Sequence, residues 1–390
     1  MFESILVRGG KANNESFDAG LLAEAMLFYR QVKVVCYYGT LKELLKKIPP
    51  YILLRALEQG NLQIFYAHEQ SAVMTQNAGG KDERHDFSRF GLADTGYPEV
   101  VEKIFYEAAG KTSQSKLASK RFAKFVKPIS YEGFDTTVVF NDVMDKTFMP
   151  TVVKDVMQLF APEYQLPAEL IFEASRDRSG LALETNIDFD AANRSYHLHI
   201  PKEHSSINPA YLLTLIQEAH LDIYFSSKLT SEISTTHVSS TILEKRFANI
   251  LTTKNKNLNE IEIFSNLVLD SGYAIREAIN SGKCNWVEYL KLLEKAGRFR
   301  HWLDNQAPDA NLVKEYMREA FSKSWLENTP VKTLRWVIFN GAGFIADKII
   351  PGSGLALSAI DTYLIDKVGG GWKPHHFVES QLKPFIQPSK

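Results

Sequence analysis

Three short apolar runs in the first seventy residues, separated by segments of helical spacing, restrict the fold more than any other feature of the chain. SILV (Ser4 to Val7), VKVVCYY (Val32 to Tyr38) and NLQIFYAH (Asn61 to His68) read as buried strands. Between the first two, Leu21, Leu22, Ala25, Met26 and Phe28 fall at helical spacing, with Asp18 placed to cap them. Gly39 and Thr40 then open KELLKKI, Pro49-Pro50 starts YILLRALEQ, and Gly60 follows as a stop. Parallel strands need crossovers whereas hairpins do not, so this β-α-β-α-α-β order predicts a small, largely parallel α/β domain.

Further along the pattern changes twice. NAGGKDERHDFSRFG reads as a loop, and helices are expected over 98–109 and 113–126. From 134 to 200 the chain reads β-rich, with one helix near 151–160. A hairpin turns at Arg178-Ser179-Gly180, and RSYHLHIP alternates as a strand. From Asn208 it reads helical almost throughout. The expected fold is an α/β N-terminal part, an α+β middle, and a mainly α-helical C-terminal half ending in a glycine-rich apolar helical hairpin. The expected divisions are 1–133, 134–207, 208–330 and 331–390. A length of 390 residues suits two or three domains.

A formal net charge of −1 gives no overall attraction to polyanions, so any phosphate or nucleic-acid binding must come from a local patch. One such patch exists. Between Lys111 and Lys127 there are six basic residues and no acidic one. Lys116, Lys120, Arg121, Lys124 and Lys127 are candidate phosphate ligands, the four lysines recurring along one helical face. Leu117, Phe122, Phe125 and Val126 are expected to form much of the buried side. The plain alternative is a solvated charged face.

Other candidates are weaker. On a strand, His197 and His199 would share a face, as a two-histidine metal clip does, with Glu203 or His204 as a further ligand. Glu173, Asp177, Glu184 and Asp188 flank the hairpin, and Glu184 and Asp188 alternate onto one strand face as a conceivable carboxylate pair, with a solvated hairpin face as the plain alternative. HExxH, GxSxG, GxxxxGK[ST] and CxxC are absent, and no cofactor is expected. Two cysteines, Cys36 and Cys284, fit a reducing compartment better than a disulfide framework. The first residues lack the pattern of a signal peptide, and no run reaches about 18 apolar residues. A cytosolic protein is expected, with the inner face of the cell membrane as a second place for it.

The stretch from Phe339 to Asp366 contains Gly341-x-Gly343-x-x-Ala346, superficially a dinucleotide fingerprint. Pro351 interrupts the helix such a fingerprint requires. Two apolar segments, 336–346 and 349–360, remain, each spanning about half of a bilayer core. Gly341, Gly343, Gly352, Gly354 and Ala356 then read as close-packing positions, in a soluble core hairpin or a membrane-entering one. GWKPHHFVESQLKPFI closes the chain as a short amphipathic, anchored helix.

The N-terminal strand-helix order resembles half of a phospholipase D-like domain. That superfamily's His-x-Lys motif is missing, since the third strand ends Ala67-His68-Glu69-Gln70, so the resemblance implies a catalytically silent domain. The pattern GRFRHWL, RWVIF, PGSG, DTYLIDKV and GWKP is similar to C-terminal regions of poorly characterised bacterial proteins. In layout the chain resembles two-part bacterial antiviral defence effectors, with a soluble sensing body and a small-residue apolar segment that damages membrane. The resemblance implies a non-enzymatic effector that binds a phosphate-rich ligand, nucleic acid or partner and acts by oligomerising or entering membrane. Two other classes stay open: a nucleotide- or nucleic-acid-processing enzyme of unfamiliar type, and an interaction subunit of a complex.

Overall fold

The computed structural model describes residues 2–9, 17–77, 83–91, 96–200, 206–234, 273–304 and 377–386, with part of 238–246. The three N-terminal apolar runs form the expected strands β1 (Phe2–Arg8), β2 (Tyr29–Cys36) and β3 (Leu62–Ala67). Helix α1 (Ala19–Phe28) joins the first two. Helices α2 (Tyr38–Lys47) and α3 (Pro50–Glu58) join the second and third. Asp18 caps α1, Pro50 opens α3, and Gly60 stops it with φ +82°.

SAVMTQN and the stretch expected as a loop instead form a hairpin, β4 (Glu69–Asn77) with β5 (Glu83–Gly91). Helices α4 (Glu99–Ala108) and α5 (Ser113–Phe125) then lead into β6 (Val126–Ile129). Between 134 and 200 helix outweighs strand: α6 (Thr136–Met144) and α7 (Phe148–Phe160) precede the hairpin β7 (Phe172–Asp177) with β8 (Gly180–Thr185). RSYHLHIP is not a strand but lies largely in α8 (Phe189–His199), which Asp188 caps. Alternation misled here because the local cap sets the backbone first. A 21-residue helix, α9 (Pro209–Leu229), runs into the short strand β9 (Glu232–Ser234).

Two sheets result. The first is parallel throughout, in the order β6-β3-β2-β1-β9. The second is antiparallel, in the order β4-β5-β8-β7. Both faces of the parallel sheet are covered, which explains why its strands read as near-continuous apolar runs. Ile5, Val7, Val32, Val34, Ile64 and Tyr66 turn to one face, among the helices that follow β1 to β3. Leu6, Val35, Phe65 and Ala67 turn to the other, against Leu221 and Phe225 of α9.

The region expected as a helical domain, 208–330, divides between these bodies in its described part. The N-terminal half of α9 enters the core of the antiparallel sheet, with Leu212, Leu213 and Ile216 beside Val152 and Val156 of α7. Helices α10 (Tyr273–Asn280), α11 (Trp286–Lys295) and α12 (Gly297–Asp304) return to the parallel sheet and pack on α1. Gly20 is required there. A Cβ on it would sit 2.2 Å from the Arg276 carbonyl oxygen. Asp18 accepts from Arg276 Nε at 2.6 Å and from Asn280 Nδ2 at 2.7 Å, so the cap of α1 also holds α10. In the described part of the closing segment, Phe377 stacks on Phe299 at 5.0 Å, and α13 (Lys383–Ile386) lies beside α11. The apolar hairpin of 331–376, with Gly341, Gly343, Gly352, Gly354 and Ala356, lies outside the described residues.

Where β1 ends, Arg8 is 4% exposed and points to the α9 face. Its Nε donates to Asp222 Oδ1 at 2.9 Å, and Nη2 pairs with the Glu218 carboxylate and donates to the Glu218 carbonyl at 2.9 Å. Burial opposes its charge, but Glu218 and Asp222 outweigh it and hold the guanidinium pKa above its ordinary value. Removing one partner of a buried ion cluster strands the others. Arg8→Ala is therefore expected to destabilise the fold by about 3–5 kcal/mol, and Gly20→Ala by about 1–3 kcal/mol, measured by urea denaturation. A midpoint unchanged in either variant would contradict the corresponding contact.

Candidate anion-binding face

In open parallel sheets, ligands gather outside the carboxyl ends of the strands where the strand order reverses. Here that point lies between β1 and β9. Two groups that could hold a phosphate there are already engaged. Arg8 is held by Glu218 and Asp222, and a carboxylate of the chain itself, Asp18, occupies the amino terminus of α1. Tyr37, just past β2, accepts from Tyr131 Oη at 2.7 Å, and burial raises both phenols above their ordinary range. Among the described residues, the polar groups named at this end of the sheet are engaged in internal contacts.

The basic segment behaves differently. Gly110 (φ +88°) and Lys111 (φ +57°) make the turn before α5. Thr112 and Ser115 close a capping box at its start. The Tyr97 hydroxyl donates to the carbonyls of Ala123 and Val126 at 3.2 and 2.8 Å, binding its last turn. Phe122 packs against Phe105 of α4 at 4.7 Å. The buried side is made of Ser115, Ser119, Phe122 and Ala123, small residues that let α5 lie close to its neighbours.

That side is not the one expected. Phe122 and Val126 are buried, but Leu117 is 75% exposed and Phe125 36%. At 100° per residue Leu117 sits in the middle of the outward face, with Lys120, Arg121 and Lys124 around it and Phe125 at its margin. Lys116, Lys120, Arg121 and Lys124 are all exposed. Arg121 Nε lies 2.8 Å from Glu58 Oε1 of α3, whereas Lys116, Lys120 and Lys124 have no ion-pair partner among the described residues. Lys127 does not continue the stripe. It lies in β6 with its ammonium 5.7 Å from the Phe65 ring, on the α9 side of the sheet.

The remaining candidates are dispersed. Two residues apart on α8, His197 and His199 point about 200° apart instead of sharing a face. His199 Nε2 is 2.7 Å from Glu163 Oε1, Ser195 Oγ donates to Oε2 of the same carboxylate, and His197 Nδ1 is 3.2 Å from the Ile200 carbonyl. The ligands proposed with them, Glu203 and His204, lie outside the described residues. Among the described residues no group of three or more His, Cys, Asp or Glu side chains is placed to hold a metal ion. Glu173 pairs with Lys146, Asp177 with Arg84, and Asp188 caps α8. Glu184 lies directly across the hairpin from Glu173, near the Lys146 ammonium, and not beside Asp188. The apolar recess between α7 and α9, lined by Val152, Val156, Leu212 and Ile216, is too tight to admit water.

Sequence reasoning missed a buried polar set on α9. His220, 6% exposed, places Nε2 2.8 Å from Asp142 Oδ2, and Arg246 Nε reaches the same oxygen at 2.6 Å. Gln217 donates to Ser71 Oγ at 2.6 Å. The signal was present as QEAHLD, four polar residues inside an otherwise apolar helix.

Comparison of the chain with models of protein families, with curated proteins and with solved structures finds no match.

Burial lowers the pKa of His220, against a raising contribution from Asp142, and burial likewise lowers that of His85. The folded state thus favours both neutral rings. As pH falls through about 6.5 the unfolded chain takes up protons that the folded chain refuses, and stability declines toward the folded-state pKa values. Between pH 7.5 and 5.5 the wild-type Tm is expected to fall by about 2 °C more than that of His220→Gln. Equal falls in the two proteins would remove His220 from this dependence.

Proposed function

We propose that this chain is a non-enzymatic effector of the bacterial antiviral kind. Its folded body binds a phosphate-rich partner through α5, and its 331–376 segment oligomerises or perturbs a membrane in response. The observation that supports this reading is the outward face of α5. Its Lys116, Lys120 and Lys124 are exposed without carboxylate partners among the described residues, on a helix fastened at both ends. Three such cations on one rigid face meet a phosphate array with little ordering cost, because the backbone that carries them is already fixed. Engagement of that face would act by favouring the conformation in which the apolar segment is presented, and only in proportion to its preference for that conformation.

The enzyme reading has less support, since His197 and His199 bond to separate neighbours and Glu173 and Asp177 are each held in an ion pair. Among the described residues no helix is long and apolar enough to cross a membrane, and 331–376 lies outside that set.

Binding of a fluorescent single-stranded oligonucleotide to the full chain should weaken steeply with salt. The slope of log K against log[salt] is expected to become shallower by about 2 in Lys120→Glu/Lys124→Glu. An unchanged slope would move the binding face away from α5.

A further inference from the structure

The composition of the α5 face says more than that it is cationic. A face adapted to phosphate alone has no use for a large aliphatic side chain at its centre. Leu117 is 75% exposed, and Phe125, about two turns further along at the margin of the face, is 36% exposed. Both expose apolar surface that water penalises, whereas Ser115 and Ser119 occupy the inward side of the same helix. Basic residues encircling protruding apolar ones match an interfacial helix. In such a helix, apolar tips enter the boundary between headgroups and acyl chains while ammonium groups remain among the lipid phosphates.

Resting on the reading of α5 as the phosphate-binding face, we propose that its partner is the anionic surface of a lipid bilayer. In this arrangement α5 lies flat, Leu117 and Phe125 are inserted, and Lys116, Lys120, Arg121 and Lys124 contact the headgroups. Nucleic acid fits less well. Its bases stack on aromatic rings, and an aliphatic centre supplies no such platform. The longest of the chain's own undescribed segments fits less well too. Residues 305–376 carry eight Lys and Arg against seven Asp and Glu, with no acidic surplus to complement a basic face. Charge complementarity is met by an anionic bilayer, and each cation near such a surface adds to the attraction within a Debye length.

Full-length protein would be sedimented with vesicles of phosphatidylcholine alone, and with vesicles in which about a third of the lipid is phosphatidylserine. In parallel, the same proteins would be titrated with the oligonucleotide. Binding is expected only to the anionic vesicles. Leu117→Ser is expected to weaken it about fivefold while leaving oligonucleotide binding unchanged. Lys120→Glu/Lys124→Glu is expected to weaken both by at least about thirtyfold. Vesicle binding equal in wild type and Leu117→Ser would overturn insertion through α5, as would binding that survives both variants and so comes from another segment. Oligonucleotide binding without vesicle binding would overturn the bilayer as partner yet keep α5 as a polyanion site. Loss of neither ligand on charge reversal would reject both readings.

Discussion

At the end of β1 a guanidinium with almost no exposed surface is shared between two carboxylates of α9, and it fixes this helix, which enters the cores of both sheets, against the parallel one. Glu218 and Asp222 are four residues apart, so they rise on one side of the helix and meet Arg8 together. Desolvating three charged groups is unfavourable unless their geometry is satisfied, and that condition admits one depth and one rotation of α9 against the sheet. Once these are fixed, Gln217 is delivered to Ser71 of β4 and His220 to Asp142 of α6. The helix is buried on most of its circumference because it serves the cores of both sheets.

This arrangement has a consequence for binding. A parallel sheet with a reversal of strand order ordinarily offers phosphate a place near the centre, through a cation or a bare helix terminus. Here Arg8 and the amino terminus of α1 are given over to internal contacts, and each contact holds a distant part of the chain: α9 in one case, α10 in the other. Groups spent on cohesion are not available to a ligand. A cluster of accessible positive charge lies instead on α5, which feeds the edge strand β6. An edge helix can face a broad planar partner that a central crevice would exclude.

Much of the N-terminal architecture was legible because its signals are local. Asp18, Pro50 and Gly60 mark helix ends through backbone chemistry that needs no distant partner, and VKVVCYY is a strand whichever neighbour it finds. Failures came where a distant partner decides. β5 (ERHDFSRFG) is polar in sequence and becomes a strand through its full pairing with β4; its tie to β8 needs Gly180, where a Cβ would come within 2.7 Å of the His85 carbonyl. RSYHLHIP alternates, yet Asp188 starts a helix ahead of it. Of the candidate site, the basic helix itself was readable, but not which of its apolar residues turn outward, because buried Ser115 and Ser119 reverse the usual preference.

The contact between Gly20 and the Arg276 backbone also sets a timetable. α1 connects the first two strands, but its cap and its packing surface are completed by α10 and α11, some 260 residues later in the chain. β1 likewise gains its second neighbour from β9, at 232–234. At synthesis rates of about 5–20 residues per second, the earliest helix waits about 13–50 seconds for its partners to emerge. For much of that interval, until α9 emerges, the face of the strands carrying Leu6, Val35, Phe65 and Ala67 lacks the cover that Leu221 and Phe225 give it.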